Sequence, residues 1–170
     1  MNKKSRSIVC LFFMFFILVT VSKAADYVII PAMAFNSDAS IEEFFKAEES
    51  YKSYIYVTKK GQIAYAPVYF PSDARGKNVK RMSALVFDDS ATGYLVVHLR
   101  KVDLRTGNYY SVFSINSNDE GRSSTEKLLH DRTGTNKRID NSRYGWYLLV
   151  YFWGSYVDEE IRLYEVRIKY

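Results

Sequence analysis

Cysteine is nearly absent from this chain: Cys10 is the only one among 170 residues. A disulfide framework is therefore excluded, and stability must come from packing. Histidine is almost as scarce. His98 and His130 stand 32 residues apart with no partner histidine, so no zinc set can be assembled from them. There is no Gly-x-Ser-x-Gly elbow and no glycine-rich phosphate loop, which removes the signatures of serine hydrolases and nucleotide binders. No Asn-x-Ser/Thr sequon occurs, nor any internal repeat or low-complexity tract. The chain has one long apolar run, Ile8 to Val21, interrupted only by Thr20. Its 14 residues fall short of the roughly 20 that a membrane-spanning helix needs.

That run lies in a segment with the grammar of a secretory signal peptide. Lys3, Lys4 and Arg6 give a basic start, and Ser22-Lys23-Ala24 puts small residues at the two positions a signal peptidase inspects. The expectation is a leader over residues 1–24, cleaved to leave a single domain over 25–170, secreted, periplasmic or at the cell surface, with no stable membrane span. The competing reading is an uncleaved anchor. A lipoprotein is disfavoured, because Cys10 opens the apolar run where a lipobox would close it. The leader holds Lys3, Lys4, Arg6 and Lys23 and no acid. Without it 20 basic residues face 19 acidic ones, and the net charge falls from +5 to +1. A nucleic-acid partner needs a basic surface in the domain itself. Lys77, Lys80 and Arg81, and Arg132, Lys137, Arg138 and Arg143, form two small clusters that read as solvated loop and strand-end charge. No nucleic-acid role is expected.

What the domain does have is aromatic side chains. All 15 tyrosines follow the leader, with both tryptophans. Aromatic and β-branched residues suit strands, and turn signals recur at short spacing: Lys60-Gly61, Pro71-Ser72-Asp73, Thr106-Gly107-Asn108, Gly134-Thr135-Asn136. Strands are expected over 27–34, 54–58, 62–70, 79–87, 94–102, 109–116, 123–129, 144–153 and 160–170. Residues 144–153 are apolar on both faces and read as a central strand. In the last strand the apolar phase breaks: Ile161 and Leu163 share one face, Tyr164, Val166, Ile168 and Tyr170 the other. The break implies a β-bulge near Leu163-Tyr164, or a strand start buried on both sides. One short helix is expected from Ser40 to about Ser50, since Ser40-Ile41-Glu42-Glu43 matches a capping box.

Sites are harder to find. Asn116, Asn118, Glu120 and Gly121 mimic the opening of an EF-hand loop, but its twelfth position holds Lys127 where a glutamate is required. Asp88, Asp89 and Asp119 are the weak calcium candidates from which a differently built loop site would have to be made. No other metal site and no cofactor is implied. The acids fall mostly in turns or in the expected helix; Glu165 and Asp103 are the strand candidates, each alternating outward in charged or polar company, and no opposed carboxyl pair of a glycosidase stands out. Aromatic residues are the exception. Trp146, Leu148, Val150 and Phe152 share the face that reads as core, and Tyr147, Tyr151 and Trp153 share the other. If that second face is open, its rings can stack on sugar rings. If the 41–50 helix covers it, they are core, the reading that packing favours.

Ile139 to Leu148 and Ile161 to Tyr170 together resemble the end of a loosely defined group of uncharacterised secreted bacterial β-sandwich proteins. Ile30 to Phe35, Ala66 to Pro71 and Leu85 to Ser90 carry the same pattern upstream. The resemblance departs at Glu165, where a glycine is usual. It implies a jelly-roll-like sandwich and export, and no activity. The expected fold is an all-β, jelly-roll-like antiparallel sandwich of eight to ten strands with one short helix. The leading functional expectation is a non-enzymatic exported domain that binds or assembles at the cell surface, self-associating through edge strands. The alternative is a carbohydrate-binding module that holds a glycan on Tyr147, Tyr151 and Trp153. A secreted hydrolase comes third.

Overall fold

The computed structural model describes residues 26–37, 44–49, 52–57, 62–153 and 161–170. The leader expected over residues 1–24 lies outside them. Among the described residues no helix is long and apolar enough to cross a membrane.

Among the described residues eleven strands run in chain order: β1 (Tyr27–Pro31), β2 (Asn36–Ser37), β3 (Phe44–Glu49), β4 (Lys52–Val57), β5 (Gln62–Val68), β6 (Arg81–Asp88), β7 (Tyr94–Asp103), β8 (Tyr109–Asn116), β9 (Ser123–Asp131), β10 (Tyr144–Trp153) and β11 (Ile161–Lys169). They form two antiparallel sheets. The first has the order β3-β4-β11-β6-β9, with β1 also paired to β11; the second has the order β2-β5-β10-β7-β8. This is the expected jelly-roll-like sandwich, in which each sheet buries alternate residues against the other.

The core follows that alternation. Trp146, Leu148, Val150 and Phe152 from β10 and Leu95, Val97 and Leu99 from β7 meet Met82, Ala84 and Val86 from β6 and Leu163, Val166 and Ile168 from β11. A fully buried side chain of this kind contributes about 1.5–3 kcal/mol. β10 is the central strand of its sheet, paired to β5 on one side and to β7 on the other.

The phase break in β11 is a bulge. Leu163 pairs with Val86 and Glu165 with the adjacent Leu85, so Tyr164 is the extra residue. Leu163 and Val166 can therefore both point into the core, three residues apart instead of two.

The short helix over 40–50 does not form. Phe44–Glu49 is a strand that pairs with β4, Phe44 opposite Val57 and Glu49 opposite Lys52; Ser40 to Glu43 and Ser50 lie outside the described residues. A helix of about ten residues is marginal without a packed face. A strand with two phenylalanines can instead extend the sheet edge beside β4. The only described helices are single 3-10 turns at Ala32–Ala34, Ser72–Ala74 and Ser117–Glu120.

Candidate functional site

With no helix at 44–49, and with β3 in the other sheet, no described strand or helix covers the outer face of β10. Tyr147 and Tyr151 are half-buried and Trp153, at its end, is 47% exposed. The Tyr151 and Trp153 rings lie 6.3 Å apart with an interplanar angle of 29°. The expectation that packing would bury these rings is corrected at Trp153: the described part of the expected covering helix, 44–49, is a strand of the other sheet. All three sequence-derived residues stand on one face because a strand turns alternate side chains the same way.

Neighbouring strands complete the floor. In the β10–β5 ladder Leu149 faces Tyr65, which is 44% exposed. In the β10–β7 ladder Tyr147 faces Arg100, Leu149 faces His98 and Trp153 faces Tyr94. The His98 ring meets Tyr151 edge-on at 5.7 Å. Burial, and then the nearby Arg100 charge, hold His98 below the usual histidine pKa. The Arg100 guanidinium lies 5.5 Å from the centre of the Tyr109 ring and 6.0 Å from that of Tyr151. Sequence reading finds the β10 rings and misses Tyr65, Arg100 and Tyr109. They reach the site only through the pairing of strands distant in the chain.

The result is a shallow platform, long in one direction, with flat apolar surface and polar edges. Nothing in it resembles a catalytic dyad. It suits stacking on the C–H faces of sugar rings, with specificity set by polar groups at the rim.

A second concavity lies on the outer face of the first sheet. A groove of about 580 Å³ is lined by Lys52, Phe87, Glu126, Arg162 and Tyr164, with Ser124 and Thr125 at one side. Arg162 stacks 4.7 Å from Tyr54 and 5.1 Å from Phe87. The Lys52–Glu126 ion pair, 2.5 Å long, bridges residues from this lining. The platform, however, holds the exposed rings, and a recess crossed by its own ion pair presents less free surface to a sugar.

The remaining sequence candidates do not converge. Asp88 is buried; it accepts hydrogen bonds from the Ser117 hydroxyl and the Ser90 backbone N–H. Burial raises its pKa, against the opposing effect of the Ser117 bond. Asp89 pairs with Arg122 at 3.3 Å. Asp119 stands in the 3-10 turn after β8. Among the described residues no three acidic or histidine side chains group closely enough to hold a metal ion. The two basic clusters do come together: Asn78 bridges to Arg138, and the Val79 N–H donates to the Lys137 carbonyl at 2.9 Å. Lys77, at their junction, faces Asp73 at 3.6 Å and Asp26 at 4.0 Å.

No protein-family model matches the sequence. No curated protein sequence matches it either. Solved structures do match. The chain is similar to a family 6 carbohydrate-binding module, with a TM-score of 0.54 and 12% identity over 85% of this chain and 95% of the other. It is similar to CsCBM6-3 from Clostridium stercorarium, solved in complex with cellobiose, with a TM-score of 0.53 and 14% identity over 88% and 98%. A β-1,3-glucan-binding CBM6 from Bacillus halodurans gives a TM-score of 0.52 and 16% identity over 86% and 98%. Identities this low establish the fold, and the fold is the β-sandwich on which these carbohydrate-binding modules are built.

Proposed function

We propose that this chain is a non-enzymatic glycan-binding domain that holds sugar rings on the outer face of its second sheet. One observation carries the reading: Tyr147, Tyr151 and Trp153 form a row on a central strand whose outer face no described strand covers, with Trp153 nearly half exposed and stacked beside Tyr151. Large exposed apolar patches on soluble domains mark binding surfaces. The similar structures support the choice of ligand class, since they are carbohydrate-binding modules, one solved with cellobiose and one binding β-1,3-glucan. Sugar stacking also explains why the platform needs flat rings and no catalytic group. The proposal includes export: residues 1–24 act as a cleaved signal peptide, and the domain over 25–170 meets its glycan outside the cytoplasm.

Affinity electrophoresis and isothermal titration calorimetry against soluble cellulose, xylan and β-glucan chains test it. The expected result is measurable binding to at least one glycan, weakened tenfold or more by Trp153→Ala, a loss of about 1.4 kcal/mol. Absence of binding to every glycan, or binding indifferent to Trp153→Ala, overturns the proposal.

A further inference from the structure

We propose that the platform takes acidic sugars, the Arg100 guanidinium holding the carboxylate of a uronic acid while the sugar ring stacks on Tyr151. This inference rests on the glycan-binding reading above and names the class of sugar.

Three observations meet at Arg100. The first is the charge of the face. From Ile63 on β5, across β10 and β7, to Asn116 on β8, the outward positions of the described strands include no Asp or Glu, and Arg100 is their lone permanent cation. The second is isolation. Arg143 pairs with Asp103, Arg122 with Asp89 and Arg167 with Glu165. Arg100 makes no ion pair or hydrogen bond with any described residue, and its buried Nε has no partner. The third is position. Arg100 stands directly across the ladder from Tyr147 and lies beside the rings of Tyr109 and Tyr151.

An arginine kept among aromatic rings, with no carboxylate from its own chain, is oriented but not neutralised. Its planar fork matches both oxygens of a carboxylate, a fit that an ammonium or an amide lacks. The ring contacts hold the guanidinium while leaving its terminal nitrogens to an outside partner. A uronic acid offers what this geometry needs. Its carboxylate is a substituent on the pyranose ring, so a ring lying flat on Tyr151 projects the charge sideways, toward Arg100. The absence of acids on the face removes the repulsion that would otherwise oppose an anionic chain. A neutral glycan would stack on the same rings and leave Arg100 unused.

The test compares polygalacturonate with its fully methyl-esterified form, which removes charge while keeping the sugar backbone. Calorimetry is run on the wild type, Arg100→Gln, Arg100→Lys and Trp153→Ala, each checked for folding by its thermal transition. The wild type is expected to bind the acid form at least tenfold tighter than the ester, with the preference shrinking as salt is raised. Arg100→Gln is expected to abolish the preference, its affinities for the acid and the ester falling within threefold of each other. Arg100→Lys keeps part of the preference, and Trp153→Ala weakens both forms together. Equal wild-type affinity for acid and ester overturns the inference and leaves the glycan reading standing. A preference that survives Arg100→Gln also overturns it, and assigns the anion to the basic loops around Lys80 and Arg138. If Arg100→Gln does not fold, the wild-type comparison of acid with ester still decides.

Discussion

Phe152 and Trp153 are adjacent in the chain and have opposite fates: the first is fully buried and the second projects into solvent. Strand alternation alone separates them, and it makes the outer rings dependent on the polar residues that share their face. His98 is one of these. Its pKa is held below 6.5, by burial first and by Arg100 second. A histidine lowered in the folded state binds its proton more readily when the chain unfolds. Its contribution to stability is therefore complete above pH 6.5 and is lost as the pH falls toward the lowered value. His130 is shifted in the same direction and adds to the trend. Replacing His98 with Phe keeps an edge-on ring against Tyr151 and removes the titration. Urea denaturation between about pH 7.5 and pH 5 is expected to show a smaller loss of stability in His98→Phe than in the wild type. Parallel pH profiles for the two proteins would contradict this account of His98.

Strands and their connections explain why much of the fold can be read from the chain and part of it cannot. The strands now assigned as β4 to β11 announce themselves by alternation and by bounding turn residues. The bulge at Tyr164 shows as a change of phase between Leu163 and Val166. β3 does not announce itself, because Phe44, Phe45 and Ala47 also fit a helical stripe, and only pairing with β4 decides between them. β2 is two residues long and exists through its partner β5. The platform is half legible for the same reason. Its β10 rings share one local pattern, while Tyr65, His98 and Arg100 join them through registers that no local pattern contains. The connection between β9 and β10 shows how an exposed edge is managed. The Thr135 N–H donates to the Val112 carbonyl at 3.0 Å, and Asp131 accepts from the Ser114 N–H at 2.9 Å, so these β8 edge groups are satisfied within the chain. Gly134 lets the loop approach this closely. A Cβ there would meet the Val112 carbonyl oxygen at 2.1 Å and the Phe113 ring at 2.7 Å. Gly134→Ala therefore requires backbone movement and is expected to cost about 2–3 kcal/mol. A lower urea midpoint at unchanged slope would show it, and an unchanged midpoint would mean the loop shifts freely.

At the scale of the whole molecule, the two outer faces differ in kind. The first sheet presents charge paired within the protein, as at Lys52–Glu126 and Glu165–Arg167. The second presents rings and one uncompensated arginine. A domain with both surfaces equally solvated would have no reason to gather the exposed rings of Tyr65, Tyr109 and Trp153 on one sheet. That asymmetry predicts a thermodynamic link between ligand and fold. The platform is built from β10, the central strand of its sheet, and from partners far away in the chain, as in the pairing of Tyr65 with Leu149 and Ile63 with Tyr151. It exists only when the sandwich is assembled, so a glycan that binds it binds the folded state alone. A ligand present at a hundredfold excess over its dissociation constant then stabilises the fold by about 2.7 kcal/mol. For a domain of this size that corresponds to a rise of roughly 5–10 °C in the midpoint of thermal unfolding. Thermal scans with increasing glycan are expected to show a midpoint that climbs with the logarithm of concentration in the wild type. Trp153→Ala should show a much smaller climb at the same concentrations. A glycan that binds in calorimetry yet leaves the midpoint unmoved would have to engage the unfolded chain equally well, which a surface assembled from β5, β7 and β10 cannot do.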